Sequence, residues 1–175
     1  WQDGLSNVVA PFDKLRVPLP GLQPIRKGEC GEGIRVQIPP NSLVDQNGQP
    51  PVGNVDIAIS TIDLLSPEQM PGDYTALTPD GETRVMQSWG AGYIEITDGF
   101  KHYNLAPGAI ARVEIPVDPS QLAAGGVLDP TIPVLHYDEQ NGVWIEDGIA
   151  FLQGNTYVTD VTHFSVINMD VLMVN

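Results

Sequence analysis

The chain has 175 residues, and its 22 acidic against 8 basic side chains give a formal net charge of −14. A pI near 4.2 argues against nucleic acid as a partner, because phosphate binding needs a basic surface. The 18 glycines and 16 prolines exclude a helical bundle or a coiled coil, since both residues interrupt helices. What remains is a globular chain of about one domain, long enough to bury a core without disulfides.

The first 28 residues differ in composition and sequence pattern from the rest of the chain. The run Val17-Pro18-Leu19-Pro20-Gly21-Leu22-Gln23-Pro24 favours extended polyproline geometry and excludes a helix or a central strand. We therefore predict a Pro-rich N-terminal arm or linker over 1–28 and a β-sandwich domain over 29–175. The single cysteine, Cys30, excludes an internal disulfide and a thiolate zinc cage. Its acidic, turn-like surroundings predict a structural or incidental cysteine rather than a catalytic one.

From residue 33 onward, short runs of alternating apolar and polar residues are separated by turn dipeptides. Alternation with a period of two over such short runs predicts half-buried antiparallel strands. The predicted strands are 33–38, 55–60, 83–88, 91–97, 109–117, 132–137, 143–146, 149–152 and 156–171. The dipeptides that predict tight turns are Asn47-Gly48, Asp80-Gly81, Asp98-Gly99, Asn141-Gly142 and Asp147-Gly148. Strands recurring at this spacing predict an all-β fold, an antiparallel sandwich.

One short helix is predicted near 118–124. Asp118 is placed as the N-cap, Pro119 at the first helical position and Gly125 as the stop. Gly92 lies within a predicted strand, and Gly90 immediately precedes that strand. We predict that another segment of backbone approaches closely there, which is a sufficient reason for glycine at both positions.

The most specific local motif is His163-Phe164-Ser165. On a strand, His163 and Ser165 project from one face, and the more apolar register turns that face inward with Val161, Ile167, Met169 and Val171. We therefore expect His163 and Ser165 to be at least partly buried together, where both need hydrogen-bond partners. From the residues alone, the favoured interpretation is an inert strand in which both side chains only satisfy hydrogen bonds of the core.

A His-Phe-Ser motif near the end of a β-domain resembles the self-cleavage motif of ZU-type domains. Further motifs recur in the same order in related bacterial cell-surface β-domains and in the cartilage intermediate layer protein, so the resemblance covers roughly residues 29–171. They are Ile38-Pro39-Pro40-Asn41-Ser42-Leu43, Gly53-Asn54-Val55, Met70-Pro71-Gly72-Asp73, Ser88-Trp89-Gly90-Ala91 and Tyr137-Asp138 with Gly142-Val143-Trp144. In the bacterial relatives an aromatic residue often precedes the Asn, where this chain has Ile167.

The resemblance implies a role for each residue of the motif. Ser165 would be the nucleophile, the Phe164–Ser165 peptide the scissile bond, and His163 the activating or orienting group. An activated hydroxyl beside a base is suitable chemistry for this reaction. No second base or oxyanion donor can be identified in the sequence.

Other candidate sites are weaker. The sequence predicts no metal and no cofactor, because His102, His136 and His163 lack any metal-ligand spacing. The stretch Asp45-Gln46-Asn47-Gly48-Gln49 is similar to a calcium loop, but Pro50 stands where that loop requires glycine. Trp89 with Tyr93, or Trp144 with Tyr137, could form a sugar-stacking platform, although aromatic residues at such places are more often core anchors.

Together these observations predict a non-enzymatic structural or interaction module of a larger secreted or cell-surface protein, located outside the cell. Its partner would be a protein or a glycan on a cell surface, with intramolecular self-cleavage at Phe164–Ser165 as its one chemical activity. The alternative function is a carbohydrate-binding module that uses exposed aromatic residues. No run approaches the roughly 18 apolar residues of a membrane helix, and the start at Trp1 suits a mature secreted protein or an excised module.

Overall fold

A computed structural model describes residues 6–9, 15–18 and 33–173. In this part of the chain the fold is all-β and sandwich-like, as predicted. The strands are β1 (Ser6–Val9), β2 (Leu15–Pro18), β3 (Arg35–Ile38), β4 (Leu43–Asp45), β5 (Asp56–Ile62), β6 (Thr75–Leu77), β7 (Thr83–Thr97), β8 (His102–Leu105), β9 (Ala111–Pro116), β10 (Thr131–Asp138), β11 (Val143–Gln153), β12 (Thr156–Val161) and β13 (Val166–Leu172). Cys30 and most of the predicted arm lie outside the described residues, and none of the described helices is long and apolar enough to cross a membrane.

The strands are hydrogen-bonded in the order β1-β3-β9-β12-β11-β10-β13-β7-β5-β2. Nearly all pairings are antiparallel, whereas the short β6 pairs in parallel with β11 and antiparallel with β7. The path folds back on itself, because β7 also packs against β9, although four other strands separate the two in this order. The Asp118 N–H donates to the Trp89 carbonyl across this contact, at 2.7 Å. The sheet therefore folds over into two facing layers, and the core lies between them.

The core consists of two apolar clusters. The larger contains the alternating residues of β3 and β5, as the pattern predicts: Val36, Ile57 and Ile59 are fully buried. The smaller is built around Trp144, which is 0% exposed and donates from Nε1 to the Pro71 carbonyl at 3.0 Å. Strand β13 lies between β10 and β7 and contributes side chains to both clusters.

Strand boundaries differ from the predicted ones in an informative way. The predicted strands 83–88 and 91–97 form one long strand, β7, and 143–146 and 149–152 form β11. In each case a register shift marks a β-bulge, at Trp89 in β7 and at Asp147 in β11. A bulge interrupts the alternation of side chains and therefore makes one strand look like two in the sequence. The strands β1, β2, β4, β6 and β8 were not predicted, because none of these short runs, unlike the alternating run that contains β3, extends far enough to show a period of two.

The turn and helix predictions are confirmed with one exception. Asp80-Gly81, Asp98-Gly99 and Asn141-Gly142 connect antiparallel neighbours, and Gly99 and Gly142 have φ angles of +90° and +69°. Asp147-Gly148 is not a turn, because it lies inside β11. The helix α1 (Pro119–Ala123) begins after Asp118, whose side chain accepts from the Ser120 N–H at 2.8 Å.

Candidate functional site

The His163-Phe164-Ser165 motif lies in the connection between β12 and β13, not within a strand. His163 and Ser165 are each half-buried, but they are not buried together as expected, and Phe164 is buried. The predicted one-sided register is wrong, because residues 166–170 of β13 are all buried. The physical reason is the central position of β13, which has one apolar cluster against each face, so Asn168 and Asp170 are buried as well.

Both backbone polar groups of Phe164, its N–H and its carbonyl, are hydrogen-bonded to the side chain of Asn104, a residue of β8. Asn104 Nδ2 donates to the Phe164 carbonyl at 3.0 Å, and Asn104 Oδ1 accepts from the Phe164 N–H at 2.7 Å. Oδ1 also accepts from the Leu105 N–H at 2.8 Å. Two backbone donors on Oδ1 fix the orientation of the amide, and Nδ2 is left to face the carbonyl.

Ser165 and His163 face different sides of the connection. Ser165 Oγ donates to the Val166 carbonyl at 3.1 Å, and Ser165 lines a surface cavity of about 230 Å³ together with Tyr93 and Asn104. His163 lines another cavity, of about 120 Å³, together with His136. On a strand, His163 and Ser165 would project from the same face. Residues 162–165 are not in a strand, because the chain bends there between β12 and β13.

Three side chains meet beside the second cavity: His136 from β10, Asp147 from β11 and His163 from the β12–β13 connection. One potential ligand atom from each lies within 4.8 Å of the other two. Asp147 Oδ2 is 3.5 Å from His136 Nδ1 and 3.7 Å from His163 Nδ1. The two imidazole rings are in edge contact, with centroids 4.7 Å apart and planes at 88°.

The β-bulge in β11 places Asp147 in this cluster. Val134 pairs with Gly148 and Leu135 pairs with Glu146, so Asp147 is the extra residue on β11. Bulges re-aim a side chain and are frequent beside functional sites. Burial, and then the nearby His163 ring, lower the pKa of His136, whereas Asp147 and Asp138 act in the opposite direction.

This cluster is the feature that the sequence did not reveal. The two histidines are distant in the chain, and Asp147-Gly148 suggested a turn rather than a bulge. The bulge had one weak signal in the sequence: an Asp-Gly pair lies between two short runs that both alternate apolar and polar residues. Asn104 was missed for a similar reason, because it lies on the short strand β8.

The other candidates from the sequence receive less support. Trp89 and Trp144 are 4% and 0% exposed, so neither offers a surface for sugar stacking, and Trp1 lies outside the described residues. Asp45 has its carboxylate occupied by the backbone N–H groups of Asn47 and Gln49 and by Lys101 Nζ, at 2.9, 2.9 and 2.6 Å. Those contacts account for the loop without calcium.

Comparison with protein-family models, with curated proteins and with solved structures gave no match. The indications of function therefore come from the chemistry of the residues described above.

Proposed function

We propose that this chain is a ZU-type structural or interaction module of a larger secreted or cell-surface protein, and that it cleaves its own Phe164–Ser165 peptide. The partner of the module would be a protein or a glycan at a cell surface. An acidic β-fold and the ordered motifs around His163-Phe164-Ser165 support this assignment.

The observation that carries the cleavage proposal is the contact between Asn104 and the Phe164 carbonyl. When a nucleophile attacks this carbonyl, negative charge develops on the oxygen that accepts from Asn104 Nδ2 at 3.0 Å. A donor already aimed at that oxygen lowers the barrier, and its removal typically costs about 100- to 1000-fold in rate. The same side chain also accepts from the Phe164 N–H of the preceding peptide, so both backbone polar groups of Phe164 are held by Asn104.

The reaction proceeds in two steps. Ser165 Oγ leaves the Val166 carbonyl, attacks the Phe164 carbonyl carbon and forms an ester as the C–N bond breaks. The hydroxyl proton passes through His163 to the departing Ser165 nitrogen. One water then hydrolyses the ester, which leaves a Phe164 carboxylate and a Ser165 with a free amine and its hydroxyl restored. His163 must turn from its present position near Asp147 for the first step.

Cleavage would not release the C-terminal piece. Strand β13 begins immediately after Ser165 and is paired along its length with β7 and in part with β10. The two pieces would remain associated as one domain, held by these ladders and by the buried side chains of β13. Cleavage must therefore be detected under denaturing conditions.

The experiment is denaturing mass spectrometry of the chain at intervals after refolding from denaturant at neutral pH. We expect two species, residues 1–164 and 165–175, and only the intact mass for Ser165→Ala. Asn104→Asp keeps the acceptor for the two N–H groups but removes the donor, so cleavage should slow by about 100-fold or more. Ser66→Ala removes a serine hydroxyl that donates to Asp63 Oδ2, outside the motif, and this variant should cleave like the parent chain.

A single intact mass for the parent chain after prolonged incubation would refute self-cleavage. If Asn104→Asp were cleaved at the parent rate while remaining folded by circular dichroism, the proposed role of Asn104 would be wrong.

A further inference from the structure

The distances within the cluster of His136, Asp147 and His163 are unsuitable for hydrogen bonds. The two Nδ1···Oδ2 separations are 3.5 and 3.7 Å, whereas N–H···O hydrogen bonds measure about 2.7–3.2 Å. Both imidazoles turn the same ring nitrogen toward one carboxylate oxygen. A metal ion bound at about 2.0–2.2 Å by such atoms separates tetrahedral ligands by roughly 3.3–3.5 Å. The separation between His136 and Asp147 lies at the upper end of this range, that between His163 and Asp147 is slightly longer, and the three candidate ligand atoms lie within 4.8 Å of one another.

A second observation points the same way. His136 Nδ1 is buried and has no hydrogen-bond partner among the described residues. A buried polar atom without a partner is costly, and such an atom calls for a specific explanation. An ion between His136 and Asp147 would satisfy this nitrogen.

We propose that His136 Nδ1, Asp147 Oδ2 and His163 Nδ1 bind one divalent transition-metal ion of the zinc type. Two imidazoles and one carboxylate are a ligand set that suits zinc, and three protein ligands leave a fourth position open. All three ligands line the cavity of about 120 Å³, whose wall also includes Asp160 and Thr162. Calcium and magnesium are disfavoured, because both prefer oxygen ligands.

The three ligands come from separate parts of the fold, which gives the ion a structural consequence. His136 and Asp147 belong to paired strands, whereas His163 belongs to the bent connection before β13. A bound ion would attach this connection to the β10–β11 hairpin. The inference goes beyond the self-cleavage proposal and does not rest on it, although both involve His163.

The test uses the tag-free full chain carrying Ser165→Ala, which remains intact whether or not the parent chain cleaves itself. After treatment with a chelator and its removal, the protein is titrated with Zn²⁺ by calorimetry, and its melting temperature is followed. We expect one Zn²⁺ per chain, and a rise in melting temperature of roughly 5–10 °C at a hundredfold excess over the dissociation constant. Mg²⁺ and Ca²⁺ should produce neither effect.

Single replacements His136→Gln, Asp147→Asn and His163→Gln, each in the Ser165→Ala chain, should weaken Zn²⁺ binding about 100-fold or more. Even changes to outer-shell residues of metal sites cost about 10- to 100-fold. His102→Gln is the matched control, because His102 Nδ1 also lies near a carboxylate, at 3.3 Å from Glu95 Oε1, but is largely exposed. Its Zn²⁺ affinity should equal that of the parent.

X-ray absorption of the zinc-loaded chain should show two imidazole ligands at about 2.0–2.1 Å. The proposal is overturned if Zn²⁺ does not bind, or if the three replacements leave binding unchanged in folded protein. Equal loss in the His102→Gln control would also overturn it, because the ion would then be bound at scattered surface histidines. Intact parent chain in the cleavage experiment would leave the zinc result unaffected, so the two proposals fail separately.

Discussion

Replacing Asp170 with asparagine is expected to raise the free energy of unfolding at pH 8 by roughly 4 kcal/mol and to change it little near pH 4. Asp170 is 0% exposed, and burial raises the pKa of its carboxyl to about 7, from 3.8. Its Oδ2 accepts from Asn168 Nδ2 at 3.0 Å, whereas its Oδ1 has no partner among the described residues. The magnitude follows from the pKa shift at about 1.36 kcal/mol per unit.

The direction of the pH dependence follows from proton binding. Between pH 3.8 and about 7 the folded chain holds a proton on Asp170 that the unfolded chain has released. The stabilisation that this proton provides is complete below pH 3.8 and is lost as the pH rises through about 7. Asparagine has nearly the same shape, carries no charge, and still offers an oxygen to Asn168 Nδ2.

The measurement is urea unfolding of the parent chain and of Asp170→Asn between pH 4 and pH 8. The difference in unfolding free energy between the two chains should grow across this range. Asp129→Asn, which makes the same replacement at an exposed carboxylate, is the control. A difference that is constant with pH would mean that Asp170 does not titrate in this range.

Replacing Gly90 with alanine is expected to destabilise the fold by roughly 3 kcal/mol, because overpacking a tight contact costs about 1–3 kcal/mol and more when backbone must move. A Cβ at this position would lie 2.7 Å from Ile115 Cγ2 and 2.8 Å from the Pro116 carbonyl oxygen. The oxygen belongs to the backbone of β9, so it cannot move aside by a side-chain rotation. The clash falls where β7 crosses β9 and closes the sandwich.

Gly148→Ala is the matched control, since Gly148 is also a strand glycine without a positive φ. A Cβ there would lie 3.9 Å from Val134 Cβ, which is ordinary contact. Denaturant unfolding should show a change within about 1 kcal/mol for Gly148→Ala. Equal effects of the two replacements would contradict the close approach of β7 and β9.

Much of the fold could be predicted because its causes are local. Alternation in β3 and β5 identified the buried faces, the Asp98-Gly99 and Asn141-Gly142 pairs identified hairpins, and the residues around Asp118 identified α1. The close approach at Gly90 was also predictable, since a glycine inside an apolar strand needs a reason. Each of these signals lies within a few residues of the feature that it predicts.

The candidate site, unlike the fold, could be predicted from the sequence only in part. The motif at 163–165 was visible, but its surroundings were not, because Asn104 and His136 reach it only through strand pairing. The bulge at Asp147 has no sequence signal that distinguishes it from a turn. The burial of both faces of β13 could not be predicted either, because a period of two indicates one buried face and β13 has two.

The sequence alone therefore determined the all-β class, all of the predicted turns except Asp147-Gly148, the short helix α1 and the position of His163-Phe164-Ser165. Only the tertiary structure decided which side chains surround that motif. The reason is physical: hydrophobic period and turn chemistry act between neighbours in the chain, whereas the ligand distances at Asp147 and the donor at Phe164 depend on how distant strands align. A one-residue bulge in β11 was enough to bring His136, Asp147 and His163 together.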